Sequence, residues 1–109
     1  MMLKEILKKC NELNVYEERA ADNNYFELVF YTKEADQWNK LFDEILGPVA
    51  KPSGKKPTPA DLELTKEYGG IFDNQTLFKK DFEEGTIIAM FWPWQDAVRT
   101  TLKVSLIKK

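Results

Sequence analysis

Apolar residues in the first half of the chain recur with two different periods. In residues 2–13 they repeat every three or four positions, which predicts an amphipathic helix. Residues 25–32 alternate instead, with Phe26, Leu28 and Phe30 on one side, and predict a strand that follows a shorter one near residues 15–19. Helical spacing returns at about residue 35 and stops at Gly47 and Pro48, where a second helix is expected to end.

The second half of the chain opens with a segment rich in proline and lysine. Residues 48–59 hold four of the five prolines, which predicts a mobile surface loop. Thr58, Pro59 and Asp61 then supply an N-cap, a first-turn proline and a first-turn acid for a short helix, which should end near residue 69. Three strands are expected to follow, at about 75–82, 86–92 and 98–107.

These elements predict a single α+β domain over residues 1–109. We expect a four- or five-stranded, mainly antiparallel sheet that ends in a C-terminal three-stranded meander, with the helices packed on one face. The chain is long enough to bury roughly two thirds of its unfolded surface, so it needs no disulfide or metal to form a core.

Turn chemistry predicts how the strands of the meander pair. A loop over residues 83–85 requires a positive φ only at its glycine, and a second loop is placed over residues 93–97. Directly opposed residues share a face. The predicted core face carries Phe78, Phe82, Ile88, Met90, Trp92, Val98, Leu102 and Val104. The predicted outer face carries Ile87, Ala89 and Phe91 beside Arg99, Thr101 and Lys103.

This predicted outer face is too apolar to be left open to solvent. A central strand that is apolar on both sides is typically covered by another element, a subunit or a ligand. Ile87, Ala89 and Phe91 are therefore candidates for a homodimer interface. Alternatively, Phe91 and Arg99 would be cross-strand neighbours and, with Lys103, could hold an anionic or aromatic ligand.

Two further groups are candidates for binding. Trp94 lies in the predicted loop, either as part of a partner surface or folded back as a lid over the end of the sheet. Lys55 and Lys56 lie in the proline-rich segment and could capture an anion weakly, although the spacing of its glycines does not fit a phosphate loop.

Lys80, between two core phenylalanines, is either a snorkelling edge residue or a buried amine.

Composition restricts the chemistry that the chain can perform. It contains no histidine and one cysteine, which excludes Ser-His-Asp and Cys-His nucleophile systems and nearly all catalytic zinc sites. Cys10 lies on the apolar stripe of the first helix and is expected to be a buried, unreactive thiol. We expect neither a metal nor a cofactor, and an enzyme is the less favoured alternative.

Charge and hydropathy restrict the partners. A net charge of −2 and a pI near 5.2 argue against nucleic acid. The longest apolar run, residues 87–94, is far shorter than the roughly 20 residues that span a bilayer, so no membrane partner is expected. The first residues lack the pattern of a secretory signal, and the single cysteine fits a reducing compartment, so a cytoplasmic location is expected.

The sequence therefore predicts a small cytoplasmic binding or assembly domain that is not catalytic and forms a homodimer through the outer face of its sheet. The alternative is a protein that binds an anionic small molecule, or a small cofactor-dependent enzyme without histidine chemistry. Its pocket would lie between the outer face or the Trp94 loop and the lysine-rich loop over residues 51–56.

Overall fold

The computed structural model describes residues 3–108, which form five strands and three α-helices. The helices are α1 (Leu3–Cys10), α2 (Ala35–Leu46) and α3 (Pro59–Thr65). The strands are β1 (Glu17–Ala21), β2 (Tyr25–Tyr31), β3 (Thr76–Phe82), β4 (Gly85–Pro93) and β5 (Arg99–Lys108). Short 3-10 helices precede α2 (Thr32–Glu34) and follow α3 (Lys66–Tyr68).

The five strands form one antiparallel sheet in the order β1-β2-β5-β4-β3. The predicted α+β class is confirmed, including the meander of the last three strands. Residue 2, at which the first helix is predicted to begin, lies outside the described part of the chain. Residues 1 and 109 of the predicted domain also lie outside it.

Local sequence explains where the second and third helices begin and end. In α2, Trp38, Phe42 and Ile45 are spaced on one buried stripe, and the helix ends at Gly47, whose φ is 86°. In α3, the Thr58 hydroxyl accepts from the Asp61 amide at 3.1 Å and the Asp61 carboxylate accepts from the Thr58 amide at 3.0 Å. This reciprocal pair satisfies two otherwise unpaired N–H groups at the start of the helix.

We call the side of the sheet that packs against α1 and α2 the major face. Its buried sheet residues are Phe26, Leu28, Phe30, Phe78, Ile87, Ala89, Phe91, Leu102 and Val104. Phe91 is central, because its ring centroid lies 5.4 Å from that of Phe30, 5.9 Å from Phe42 and 5.6 Å from Phe78. Each such side chain contributes roughly 1.5–3 kcal/mol by leaving water.

The opposite side, the minor face, has a smaller apolar cluster beneath α3 and the segment that follows it. Its members are Leu64, Tyr68, Ile71, Leu77, Ile88, Met90, Trp92 and Ile107. Gly69 has a φ of 99°, and a Cβ at this position would clash with the Trp92 indole. The first two helices thus share one face, as predicted, and α3 adds a partial layer on the other.

The predicted register between β4 and β5 is wrong. Trp92 pairs with Thr101 rather than with Val98, and Phe91 pairs with Leu102. The shift is three positions, and an odd shift moves every side chain of one strand to the other face. The physical reason is that β4 is buried on both sides, with Ile87 through Phe91 all nearly inaccessible, so its apolar pattern does not distinguish the faces.

The predicted register between β3 and β4 is wrong by one position. Phe82 pairs with Gly85 rather than with Thr86, so only two residues connect the strands. Gly85 takes a φ of 152°, and a Cβ there would clash with the Ile107 backbone on β5. The prediction that Gly85 takes a positive φ is confirmed, but Gly85 pairs with Phe82 and does not lie in the loop.

These corrections remove the predicted outer face. Ile87, Ala89 and Phe91 lie on the major face under the first two helices and have 0%, 0% and 3% of their surface exposed. The surface that the sequence assigned to a dimer interface is therefore interior. Arg99 lies on the minor face, so it cannot stack on Phe91.

The proline-rich segment over residues 48–59 is tied to the sheet at Lys51. The backbone of Lys51 exchanges two hydrogen bonds with Leu77, of 3.0 and 2.9 Å. Its buried ammonium group donates to the backbone carbonyls of Pro52 at 3.2 Å, Asp73 at 3.1 Å and Gln75 at 2.6 Å. Lys51 thus joins two surface segments and is not an exposed anion-binding residue.

Lys80 behaves as an edge-strand lysine. Its side chain is exposed, and its Nζ atom lies 5.5 Å from the ring centroid of Phe82. This supports the snorkelling interpretation and not that of a buried amine.

Candidate functional site

Trp94 folds back from the β4–β5 connection onto the minor face. Its backbone N–H donates to the Arg99 carbonyl at 2.8 Å, which extends the strand pairing by one residue beyond Pro93. Its indole Nε1 donates to the Thr101 hydroxyl at 2.8 Å. The side chain is half-buried, so one side of the indole covers the sheet while the remainder is accessible.

The connection that carries Trp94 has a defined turn structure. The Asp96 carboxylate accepts from the Val98 amide at 2.8 Å, as in an Asx turn, and Ala97 has a φ of 59°. The Ala97 amide donates to the Trp94 carbonyl at 3.0 Å. These bonds fix the loop locally and hold the tryptophan in place.

Two arginines lie close to the Trp94 indole. The guanidinium carbon of Arg19 is 5.2 Å from the ring centroid, and that of Arg99 is 5.0 Å from it. Arg99 is also 5.0 Å from the ring of Tyr16 and donates to its hydroxyl at 2.9 Å. We call these four residues the Trp94 patch: Tyr16, Arg19, Trp94 and Arg99.

The backbone of β1 explains how Arg19 reaches this position. The pairing of β1 with β2 is interrupted by a bulge between Glu18 and Ala20, which leaves Arg19 as the extra residue. A bulge bends its strand and redirects a side chain. Tyr16 directly precedes β1, and its amide donates to the Val29 carbonyl at 2.8 Å.

Two neighbouring carboxylates balance the positive charge of the two arginines in the Trp94 patch. Glu17 lies 3.7 Å from Arg19, and Asp96 lies 3.7 Å from Arg99. Both distances are near the outer limit for an ion pair, and such exposed pairs contribute about 0–1 kcal/mol. The patch therefore combines ordered aromatic and guanidinium surface with a weakly engaged Glu17 carboxylate and with an Asp96 carboxylate that also holds the turn.

Lys103 and Trp92 form a second cation–π pair on the same face, next to the layer formed by α3. The Lys103 Nζ atom is 3.5 Å from the Trp92 ring centroid and donates to the Tyr68 carbonyl at 3.4 Å. Burial lowers the pKa of Lys103 below its ordinary value, and Glu27 opposes this effect. The residue is half-covered by its neighbours and is separate from the Trp94 patch.

Tyr25 and Glu27 lie beside this lysine on β2. The Tyr25 hydroxyl donates to the Glu27 carboxylate at 2.6 Å, and the Tyr25 ring stacks on Tyr68 with 6.4 Å between centroids. Burial, followed by the bond to Glu27, raises the pKa of Tyr25 above its ordinary value. The phenol is therefore held protonated as a hydrogen-bond donor.

The structure brings together only part of the predicted candidate set. Trp94 and Arg99 lie together, whereas Lys103 is on the same face but packs against Trp92 and Tyr68. Lys55 and Lys56 are exposed, and the hydrogen bonds and ion pairs of the described side chains do not include theirs. Sequence reasoning missed Tyr16 and Arg19, because their positions depend on a bulge and on contacts with residues about 80 positions away.

The single thiol is poorly suited to nucleophilic chemistry. Cys10 has no exposed surface, and burial raises its pKa to about 12. Among residues 3–108, no cluster of three or more histidine, cysteine or acidic side chains is arranged to hold a metal ion. Within the same residues, no helix combines the length and the apolar character that crossing a membrane requires.

Labelling of Cys10 tests this burial directly. We expect an aromatic disulfide reagent to modify the native protein at least about a hundredfold more slowly than the denatured chain, because the reagent must wait for α1 to open. Equal rates in native and denatured protein would contradict the burial of this thiol.

The raised pKa also predicts how stability depends on pH. The unfolded thiol loses its proton near its ordinary pKa of 9.0, whereas the folded thiol keeps it up to about pH 12. Folding stability should therefore fall as pH rises through this interval, by up to ~1.4 kcal/mol per pH unit. Denaturation of the wild type and of Cys10→Ala at several alkaline pH values isolates this contribution, because only the variant should lack it.

Comparison of the chain with protein-family models, with curated proteins and with solved structures finds no match.

Proposed function

We propose that the protein is a non-catalytic assembly domain that binds a second copy of itself through the Trp94 patch. The observation that carries this proposal is the contact of Trp94 with two arginines on the sheet face that lies opposite α1 and α2. Tryptophan, tyrosine and arginine are the residues most enriched at the energetic centres of protein interfaces. In this patch all three types are ordered by contacts within the monomer.

Accessible apolar surface supports the same location. Tyr16 has 43% of its surface exposed, and Val98, next to Arg99 in sequence, has 49% exposed. Both are among the large hydrophobic side chains that the fold leaves uncovered. Uncovered apolar surface that is rimmed by charges is typical of interaction sites.

The balance of charge favours a second copy over an anionic ligand. In a two-fold symmetric interface the same surface supplies both sides, so a charged interface needs both signs of charge to avoid like-charge repulsion. Arg19 and Arg99 with Glu17 and Asp96 meet this condition. Glu17 and Arg19 are exposed and 3.7 Å apart, so these two can exchange partners across the interface at little cost, whereas Asp96 also keeps an oxygen in the turn.

The edges of the sheet are less suitable for self-association. β1 carries a bulge and three consecutive charged residues over positions 17–19, and β3 carries Lys79, Lys80 and Asp81 at exposed positions. Bulges and charges on edge strands oppose pairing with the edge of another chain. Association is therefore expected to use the face and not the edges.

Truncation of Trp94 tests this proposal. Sedimentation velocity over a range of concentrations should show a monomer–dimer equilibrium, and Trp94→Ala should weaken it at least about thirtyfold, as expected for a hot-spot residue worth 2 kcal/mol or more. Phe72→Ala is the matched control, because Phe72 is an exposed aromatic residue (60%) outside the patch, and its dimerisation should be unchanged.

A charge-reversal variant separates binding from folding. Arg19→Glu changes an exposed residue and should leave thermal stability nearly unchanged while weakening the dimer. Lys56→Glu makes the same change outside the patch and should have no effect on the dimer. A wild type that stays monomeric at the highest concentrations, or two reversals with the same effect, would overturn the proposal.

A further inference from the structure

The side of β3 that faces away from β4, which we call the β3 edge, has backbone groups that point out of the sheet. β3 is the last strand in the sheet order, so β4 pairs along one side of it. Leu77 bonds to the other side: its N–H donates to the Lys51 carbonyl at 2.9 Å, and its carbonyl accepts from the Lys51 amide at 3.0 Å. Because successive residues of an antiparallel strand bond alternately to the two sides, the N–H and C=O groups of Lys79 and Asp81 also point outward.

The β3 edge is open at these two positions. Within residues 3–108, the backbone hydrogen bonds made outside the helices and strand pairs do not include those of Lys79 or Asp81. Lys79, Lys80 and Asp81 are all exposed. The bridge between Lys51 and Leu77 is isolated, because the chain reaches the edge there and then leaves it. The chain thus begins a sixth strand on β3 and does not continue it along the next two ladder positions.

Space for side chains borders the β3 edge on both faces of the sheet. On the minor face, a cleft of about 390 Å³ lies between α3 and β3, and its lining includes Ala60, Leu64, Lys79 and Thr86. On the major face, a depression of about 300 Å³ lies between α2 and β3, where Val49 has 36% of its surface exposed. Successive side chains of an added strand point to opposite faces, so both faces can receive them.

The charge of the β3 edge defines the chemistry of the strand that it can accept. The Asp81 carboxylate accepts from the Thr86 hydroxyl at 2.7 Å, so it is already engaged. Among the described residues, the ion pairs include neither Lys79 nor Lys80. These two lysines are consecutive in β3, so their side chains point to opposite faces. A strand with two consecutive acidic residues can therefore place one carboxylate beside each ammonium group.

We propose that the β3 edge binds an extended, acidic peptide segment of another protein, which adds to the sheet as a further strand. The peptide backbone would bond to the N–H and C=O groups of Lys79 and Asp81, and two consecutive carboxylates would lie beside Lys79 and Lys80. The backbone bonds supply the affinity. The lysines supply the preference for acidic sequences, because exposed charge pairs add more to specificity than to affinity.

A second copy of this chain is a less suitable occupant of the β3 edge. Its β1 edge is bent by the bulge between Glu18 and Ala20, and its own β3 edge carries the same two lysines. The β3 edge is also separate from the Trp94 patch, because β4 and β5 lie between β3 and β2 in the sheet. The peptide site is therefore independent of the proposed dimer.

NMR titration of the isotope-labelled protein with a short peptide tests the site. The probe is a hexapeptide of threonine, valine, two glutamates, valine and threonine, with both ends blocked. It should shift the amide signals of Lys79 and Asp81 and slow their exchange with solvent, with a dissociation constant on the order of 0.1 mM. The same hexapeptide with two lysines in place of the glutamates should bind at least about tenfold more weakly.

A methylated hexapeptide distinguishes strand addition from contact between charges alone. It carries a methyl group on both glutamate nitrogens, so its charge is unchanged. Consecutive amides point to opposite sides of a strand, so in either register one methyl group meets the β3 edge in place of an N–H. This peptide should bind at least about tenfold more weakly than the unmethylated one.

Protein variants locate the binding. Lys79→Pro removes an N–H that does not bond to β4, so the variant should fold and lose peptide binding at least about tenfold. Lys79→Ala keeps this N–H and should weaken binding only about threefold. The double variant Lys79→Glu with Lys80→Glu should prefer the lysine peptide. Lys9→Glu, an exposed change on α1, and Trp94→Ala should bind the glutamate peptide as the wild type does. Thermal unfolding of each variant shows whether it is folded.

Several results would overturn the assignment. Absence of shifts at Lys79 and Asp81 with the glutamate peptide at millimolar concentration would remove the site. Equal binding of the glutamate and lysine peptides would show that the chemistry of the partner is wrong, and equal binding of the methylated peptide would exclude strand addition. Loss of the dimer in Lys79→Pro would show that the β3 edge is occupied by a second copy.

Discussion

Replacement of Phe91 by alanine is expected to lower the free energy of unfolding by about 3–5 kcal/mol. Phe91 has 3% of its surface exposed and contacts three other phenylalanine rings, from β2, α2 and β3. Removal of the ring leaves a cavity at the point where α2 packs on the sheet. Because domains of this size are stable by about 5–15 kcal/mol, the variant should lose a large fraction of its total stability.

A second phenylalanine provides the matched control. Phe72 has 60% of its surface exposed, so Phe72→Ala should change the free energy of unfolding by less than about 0.5 kcal/mol. Urea denaturation of the three proteins measures both effects. If the two variants lost similar, small amounts of stability, Phe91 would lie on an accessible face, as in the register expected from turn chemistry, and the observed strand pairing would be contradicted.

Replacement of Lys51 by methionine is expected to cost about 2–4 kcal/mol. The methionine keeps the apolar stem, but the carbonyls of Pro52, Asp73 and Gln75 lose their donor. An unsatisfied buried acceptor costs about 1–3 kcal/mol. Carbonyls that lie near the surface are expected to recover part of this cost by bonding to water. Local loosening of residues 72–76 should accompany the loss of global stability.

Exposed lysines of the same segment provide the control for Lys51. Lys55→Met and Lys56→Met remove equal charges from solvated positions, so each should stay within about 0.5 kcal/mol of the wild type. Hydrogen exchange of the Leu77 amide, which donates to the Lys51 carbonyl, should accelerate only in Lys51→Met. A Lys51 variant as stable as the other two would mean that the ammonium group is solvated.

Elements with strong local signals were predictable from sequence, and long-range placement was not. The apolar stripe that contains Trp38 and Phe42 defined α2, and the Thr58–Asp61 capping pair defined the start of α3. Strand register in the meander depended instead on which side of β4 meets the larger helices. Since β4 is apolar on both sides, this choice is made by the packing of the whole domain.

The candidate site was predictable only through its two most conspicuous residues. Trp94 stood out as a loop tryptophan and Arg99 as a cation on an apolar strand, and the structure places them in contact. The position of Arg19 depends on a β-bulge that no local sequence pattern predicts. The burial of Lys51 likewise depends on carbonyls of residues 73 and 75, far from it in sequence.

In the proposed dimer, the Trp94 patch of one copy meets the same patch of a second copy. Isotope-filtered NMR on a mixture of labelled and unlabelled protein detects contacts between copies alone. We predict intermolecular NOEs that connect the Trp94 indole protons to Tyr16 or Val98 of the other copy. Intermolecular NOEs confined to residues outside the Trp94 patch and its neighbour Val98, or none at a concentration where sedimentation shows a dimer, would contradict the claim.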